Sequence, residues 1–326
     1  MFEGACSVTV NDMEPIKKST TEQLNMDKRH RQGLAAAIGC MMLWGVLPGY
    51  WKALVPISSG TIIIYRILLV FVSALLLARR SYTFSEIFAP FFHDRKMAVK
   101  SILAGAVVTL NWSTYIWAVN AGHIVDCSIG YYIEPLMVCL FGIVLFREKL
   151  TGYKGTALFL ATVSVIILLV HFHKLPFIPL GLAISFSIYS AIKKTVTLPP
   201  LISLVYETIL YAPFALGVII WLEVTGKGAL SQGQPYQFGL LLLCGLLTAI
   251  PLGLFSSAAQ KVTMFELGLV EYISPTLSML MGLFIYHEAI DGVELIAVAI
   301  IWVGLVFFSV GEYRTGKKTG EVIESE

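Results

Sequence analysis

Tyr132-Ile133-Glu134-Pro135 recurs 140 positions later as Tyr272-Ile273-Ser274-Pro275. The same offset carries Gly142 to Gly282 and Glu148 to Glu288, and sets Asn111 and Tyr115 against Pro251 and Phe255. Proline, glycine and glutamate are uncommon in apolar sequence, so their return at one constant spacing marks an internal duplication. Both copies sit inside apolar runs of about 20 residues, the length a helix needs to cross a hydrocarbon core of roughly 30 Å.

Working outward, the chain offers ten such runs: Leu34–Val55, Gly60–Leu77, Ala98–Val119, Ile124–Phe146 and Gly155–Val170, then Leu175–Ile192, Leu201–Leu222, Phe238–Ala259, Phe265–Tyr286 and Val293–Gly311. The duplicated strings fall in the fourth and ninth runs, so the repeat unit is five helices. Five is odd, so the second unit enters the membrane from the opposite side. An all-α membrane protein of ten transmembrane helices, arranged as two inverted five-helix repeats, is therefore expected. This plan commonly places a transport site near the midplane. The expected divisions are a flexible cytosolic tail over 1–33, a first repeat over 34–171, a second over 175–311 and a cytosolic tail over 312–326.

Bulk composition agrees. Of 326 residues, 57% are hydrophobic and 13% charged, against about 25% charged in soluble domains. With the N-terminus placed inside, of 23 Lys and Arg only Lys52, Lys174 and Lys227 fall in outer loops, and Arg66 lies within a span. This asymmetry predicts both termini in the cytoplasm of a bacterial inner membrane. The formal net charge of +2 gives no basic bias toward nucleic acid. The five cysteines form no C-x-x-C pair, so neither a disulfide framework nor a zinc site is expected. His171 and His173 lack a third ligand nearby and are read as loop residues. No H-E-x-x-H, G-x-S-x-G or Walker pattern occurs, so the chain is not expected to be an enzyme or to hold a cofactor or metal.

Glu134 lies about 15 Å deep and Ser274 about 14 Å deep at 1.5 Å per residue. Each precedes a proline. Pro135 and Pro275 cannot donate to the carbonyls of Tyr131 and Glu271, and such freed groups are tolerated where they face protein or a wet cavity. The substrate cavity is placed around these two kinks. Glu134 is the leading candidate, because a carboxylate at a helix centre costs about 2.5 kcal/mol or more unless paired or hydrated. Arg66 is its expected partner, or the two form a static ion pair. Glu207 is placed at the inner vestibule or as a cap near a helix start, and Glu271 at the inner rim, with a solvated helix end the alternative for either. Trp44, Asn111, Trp112, Tyr115, Tyr131 and Tyr132 suit a cavity for flat organic solutes.

The strings Leu43-Trp44-Gly45-Val46-Leu47-Pro48 with Tyr50-Trp51-Lys52, and Asn111-Trp112 with Tyr115-Ile116-Trp117-Ala118-Val119-Asn120 and Gly122-His123, resemble RarD-like proteins. So do Ser128-Ile129-Gly130-Tyr131, Pro135-Leu136 and Glu148 in the first half. In the second half the matching strings are Glu207-Thr208, Leu267-Gly268, Tyr272-Ile273, Pro275-Thr276 and Phe284-Ile285-Tyr286-His287-Glu288. The resemblance covers roughly Gly33 to Arg314. RarD-like proteins belong to the EamA group of the drug/metabolite transporter superfamily. The resemblance implies ten helices, an inner-membrane location, small-molecule transport and the label "chloramphenicol-sensitive protein". Relatives often carry Asn-Pro where this chain has Glu134-Pro135.

The expectation is a secondary transporter of small organic metabolites or drugs working by alternating access. Its partners are a small-molecule substrate, a coupling proton or an exchanged solute, and the lipid bilayer. The alternatives are an exchanger for a cationic metabolite such as S-adenosylmethionine, an amino-acid exporter or, outside transport, a membrane-embedded enzyme or scaffold.

Overall fold

The computed structural model describes residues 10–121, 123–172, 177–287 and 292–324. Glu288, the partner of Glu148 in the repeat, and His173 lie outside them. Among the described residues the only regular secondary structure is helix. In chain order the helices are α1 (Val10–Ala53), α2 (Ser59–Arg79), α3 (Phe84–His93), α4 (Arg95–Asn120), α5 (Ile124–Phe146), α6 (Gly152–Phe172) and α7 (Phe177–Thr195). They continue as α8 (Pro200–Thr208), α9 (Tyr211–Val224), α10 (Ala229–Gln232), α11 (Pro235–Ala259), α12 (Met264–Glu271), α13 (Ile273–Phe284) and α14 (Gly292–Glu324).

Among the described residues, seven segments are long and apolar enough to cross a membrane, and an eighth is made by α8 and α9, which meet at a 52° bend. The apolar window of α2 is only 28% buried. Leu110, Val144, Phe159, Phe214 and Val306 are likewise more than half exposed. Water does not tolerate so continuous an apolar surface on a folded monomer, whereas lipid does. Among the described residues, α4 and α7, which hold the expected third and sixth spans, are not counted with these segments. They carry Lys100, Ser101 and Asn111, and Ser185, Ser187, Ser190 and Lys193, several of which are buried inside the bundle.

Three local features differ from the sequence expectation. The chain is helical from Val10 and again through Glu324, so the N-terminal segment expected to be flexible forms the first turns of α1. The expected seventh span breaks after Thr208, because Pro213 cannot donate to the carbonyl of Ile209. The break between α12 and α13 stands in the same relation to Pro275, whose missing N–H leaves Glu271 without its helical donor. Helix α5, by contrast, runs unbroken through Pro135. Finally, α3 is an additional helix between the expected second and third spans. Thr83 and Glu86 close a reciprocal capping box at its start, a sequence-readable signal. Phe84 and Phe92 are exposed, while Tyr206 of α8 accepts from the Phe91 N–H at 3.1 Å and stacks on its ring.

Within the bundle α5 packs on α7, α12 and α6, α11 on α1 and α2, and α14 on α6. Glycine sets two of the closest approaches. A Cβ on Gly105 would lie 2.0 Å from the Glu207 carbonyl oxygen, and one on Gly268 would lie 2.6 Å from the Pro135 carbonyl oxygen. Backbones of α4 and α8, and of α5 and α12, therefore touch directly.

Candidate functional site

Around the middle of α5, polar groups from several helices come together. Arg66 on α2 stacks on two indoles, its guanidinium carbon 3.9 Å from the Trp112 ring centroid and 5.2 Å from that of Trp51. Its Nε donates to Thr248 Oγ1 at 3.1 Å. Among the described residues Arg66 has no carboxylate within ion-pair distance. The expected Arg66–Glu134 pair is thus replaced by aromatic and hydroxyl partners: cation–π stacking holds a guanidinium in an apolar setting without an acid.

Tyr131 lies on α5 one turn before Glu134. Its ring lies 5.5 Å from that of Tyr115, and it is within electrostatic reach of both Arg66 and Glu134. Tyr131 is 42% exposed, and Arg66, Tyr115 and Glu134 are each partly exposed. Glu134 has no basic partner among the described residues.

Glu271 ends α12 and is 3% exposed, and neither of its carboxylate oxygens has a hydrogen-bond partner among the described residues. Glu134 belongs to the same α5–α12 contact, next to Pro135, whose carbonyl meets Gly268. That contact is tied at several levels. Tyr272 donates to the Tyr132 carbonyl at 3.2 Å, and the Cys139 thiol faces the Phe265 carbonyl at 3.3 Å. At its far end, Glu148 accepts from the Met264 and Phe265 N–H groups at 2.7 and 2.9 Å, satisfying two donors that a helix start leaves open.

Other expected site residues are placed differently. Asn111 is buried and donates to the Leu182 carbonyl at 2.8 Å and to Ser185 Oγ at 2.9 Å, so its amide ties α4 to α7. Trp44 packs edge-on to Phe186 and tilted on Phe255, with centroids 5.9 and 5.6 Å away. Ser274 is partly exposed, and its carbonyl abuts Gly45 of α1. Pro135 is buried against Gly268, and Pro275 is partly exposed beside the break it causes.

Glu207 is neither at a vestibule nor at a helix start. It is 1% exposed in an ion pair with Lys193, itself fully buried. Tyr189 and Ser203 also donate to it, each at 3.2 Å, and Ser203 pairs with Ser101 at 3.0 Å. Sequence reading assigned Lys193 to an inner loop with Lys194. The missed signal was that a deep Glu207 requires a base, and the Lys193-Lys194 pair holds the nearest ones along the chain.

The apolar outer surface and the membrane-length helices define a multi-pass membrane protein, and comparison with known proteins gives its family. A model of the EamA-like transporter family matches residues 176–310. An uncharacterized transporter YojE of Bacillus subtilis is 33% identical over 87% of this chain and 95% of its own. Protein RarD of Streptomyces exfoliatus is 33% identical over 93% and 96% of the two chains, and Protein RarD of Escherichia coli 30% identical over 90% and 99%. The chain belongs to the EamA-like transporter family, as a homologue of the RarD proteins; it is a multi-pass membrane protein and not an enzyme. A solved crystal structure superimposes with a TM-score of 0.65 at 16% identity, covering 85% of this chain and 97% of its own, a likeness of fold alone.

Proposed function

We propose that this protein is a secondary active transporter of small organic solutes, with its substrate cleft lined by Arg66, Trp112, Tyr115, Tyr131 and Glu134 and closed by Pro135 on the unbroken α5 and by Ser274 and Pro275 at the α12–α13 break. The supporting observation is that Arg66, Tyr115, Tyr131 and Glu134 are all partly exposed, with neither Arg66 nor Glu134 in an ion pair among the described residues, inside a bundle whose outer surface is apolar. Such groups are costly in hydrocarbon and persist where solute or water meets them.

The cycle in this reading is alternating access between two inverted five-helix repeats. Counting α4, α7 and the bent α8–α9 pair with the seven apolar spans gives ten crossings. The 140-residue offset supports this count. Helix α5 begins at Ile124 and α12 at Met264. Beyond the C-terminal ends of α5 and α13, Arg147 and His287 adopt left-handed conformations with φ of 53° and 52°. Both termini lie in the cytoplasm of a bacterial inner membrane, and transport is coupled to a proton or an exchanged solute through Glu134.

Reconstitution into proteoliposomes with labelled metabolites and drugs tests the reading. Solute-specific flux is expected, and Glu134→Gln is expected to insert normally but to abolish or uncouple it. A protein that passes no solute would be a scaffold. Unchanged pH-dependent flux in Glu134→Gln would remove this carboxylate from the mechanism.

A further inference from the structure

Glu271 is the least compensated group in the described chain. It is sealed from solvent and has no donor on either oxygen. Its neighbour across the interface is a second acid rather than a base. Two carboxylates at one helix contact do not both stay ionised unless a positive partner joins them; otherwise one takes up a proton. The charged and titratable groups around the pair do not supply a positive partner. Helix α1 contributes Cys40, α5 contributes Cys139 and Tyr131, and α12 is followed directly by Tyr272. None of these carries positive charge. Arg66 is held one layer away by Trp112, Trp51 and Thr248. The buried lysine of the bundle, Lys193, is committed to Glu207.

The two carboxylates differ in access. Glu134 is partly exposed and Glu271 is not. A solute entering beside Tyr131 therefore meets Glu134 first, with Glu271 behind it. The aromatic faces of Tyr131 and Tyr115 flank the approach, and such faces attract organic cations. The break between α12 and α13 leaves the Glu271 carbonyl without its helical donor, adding another acceptor.

We infer that Glu134 and Glu271 together form the cation subsite of the cleft, which takes the ammonium, guanidinium or phosphonium group of an organic cation and exchanges it for protons. This deepens the transport reading and rests on it. With a cation bound, both carboxylates are ionised. When the cation leaves, protons occupy the pair, so acid competes with substrate.

Purified protein in detergent tests the inference by thermal unfolding with tetramethylammonium, tetraethylammonium, tetraphenylphosphonium and agmatine, beside neutral and anionic compounds of similar size. At pH 8 at least one of the cations is expected to raise the midpoint, and its apparent affinity is expected to fall about tenfold or more at pH 5.5. Glu271→Gln is expected to lose this effect while remaining folded, and Glu271→Asp to keep part of it. The inference is overturned if no cation stabilises the protein at pH 8, if neutral compounds bind as well, or if Glu271→Gln binds cations unchanged. Labelling of Tyr131→Cys by a membrane-impermeant maleimide, applied to either side of proteoliposomes, separates the two levels. Labelling from both sides without a cation effect overturns only the cation subsite. Labelling from one side under all conditions overturns alternating access itself.

Discussion

Two carboxylates are buried to nearly the same degree and could hardly be held more differently. Glu207, on α8, has a lysine, a tyrosine and a serine donating to it. Glu271, on α12, has none among the described residues. Both end a short helix ahead of a proline-induced break. A buried charge with a full set of partners belongs to the architecture, because removing any partner strands the rest. A buried charge with no partners works against the fold, and its retention points to use.

Mutation separates these meanings, and the largest effect belongs to the compensated site. Lys193→Met is expected to destabilise the protein by about 3–5 kcal/mol, since Glu207 is then left alone. Lys193→Met with Glu207→Leu should recover most of that loss. Denaturant unfolding in mixed micelles measures both, and a small loss in the single variant would erase the contrast with Glu271. Glu271→Leu is expected to act in the opposite direction, leaving stability unchanged or raising it by about 1–3 kcal/mol, while transport is lost. A strongly destabilised but active Glu271→Leu would make it the structural residue of the two.

Smaller effects come from carboxylates that serve as helix caps. Glu148→Ala, which frees the Met264 and Phe265 N–H groups, should cost about 0.5–2 kcal/mol in the same measurement. The smallest effect is at Glu86, fully exposed, where bonds from the backbone and hydroxyl of Thr83 hold the carboxyl below its ordinary range. A depressed folded value means that its contribution is complete above the ordinary carboxylate pKa and fades as pH falls through the lowered one. Helicity of a peptide spanning residues 82–94, followed by circular dichroism with falling pH, should decline for the natural sequence and stay flat for Glu86→Gln.

Much of this was legible in the residues. The Tyr-Ile-x-Pro strings and their 140-residue offset locate the α5–α12 contact, and the apolar runs foretell most of the helices. The charge partners were not legible, because they are set by rotation about helix axes that sequence leaves free. Arg66 at its depth suited an acid, yet Trp112 and Trp51 occupy the face it presents. Lys193, beside Lys194, read as an inner-loop charge, but α7 turns it inward and only Lys194 reaches the end of the bundle, at the Val262 carbonyl. Asn111 looked like a cavity residue, since nothing in the sequence tells it that α7 offers two acceptors. Helix α3 was readable from Thr83-Phe84-Ser85-Glu86, but a search for membrane-length runs passes over ten residues.

The ties along α5 and α12 have a mechanical consequence. Glu148 grips the first turn of α12, Cys139 faces Phe265, Gly268 rests on Pro135, and Tyr272 holds Tyr132. Joined at these several levels, the pair is expected to behave as one rigid unit, so the proposed transport cycle would leave the spacing of Glu134 and Glu271 unchanged. Conformational change in such a machine redirects the doorway and leaves the seat in place.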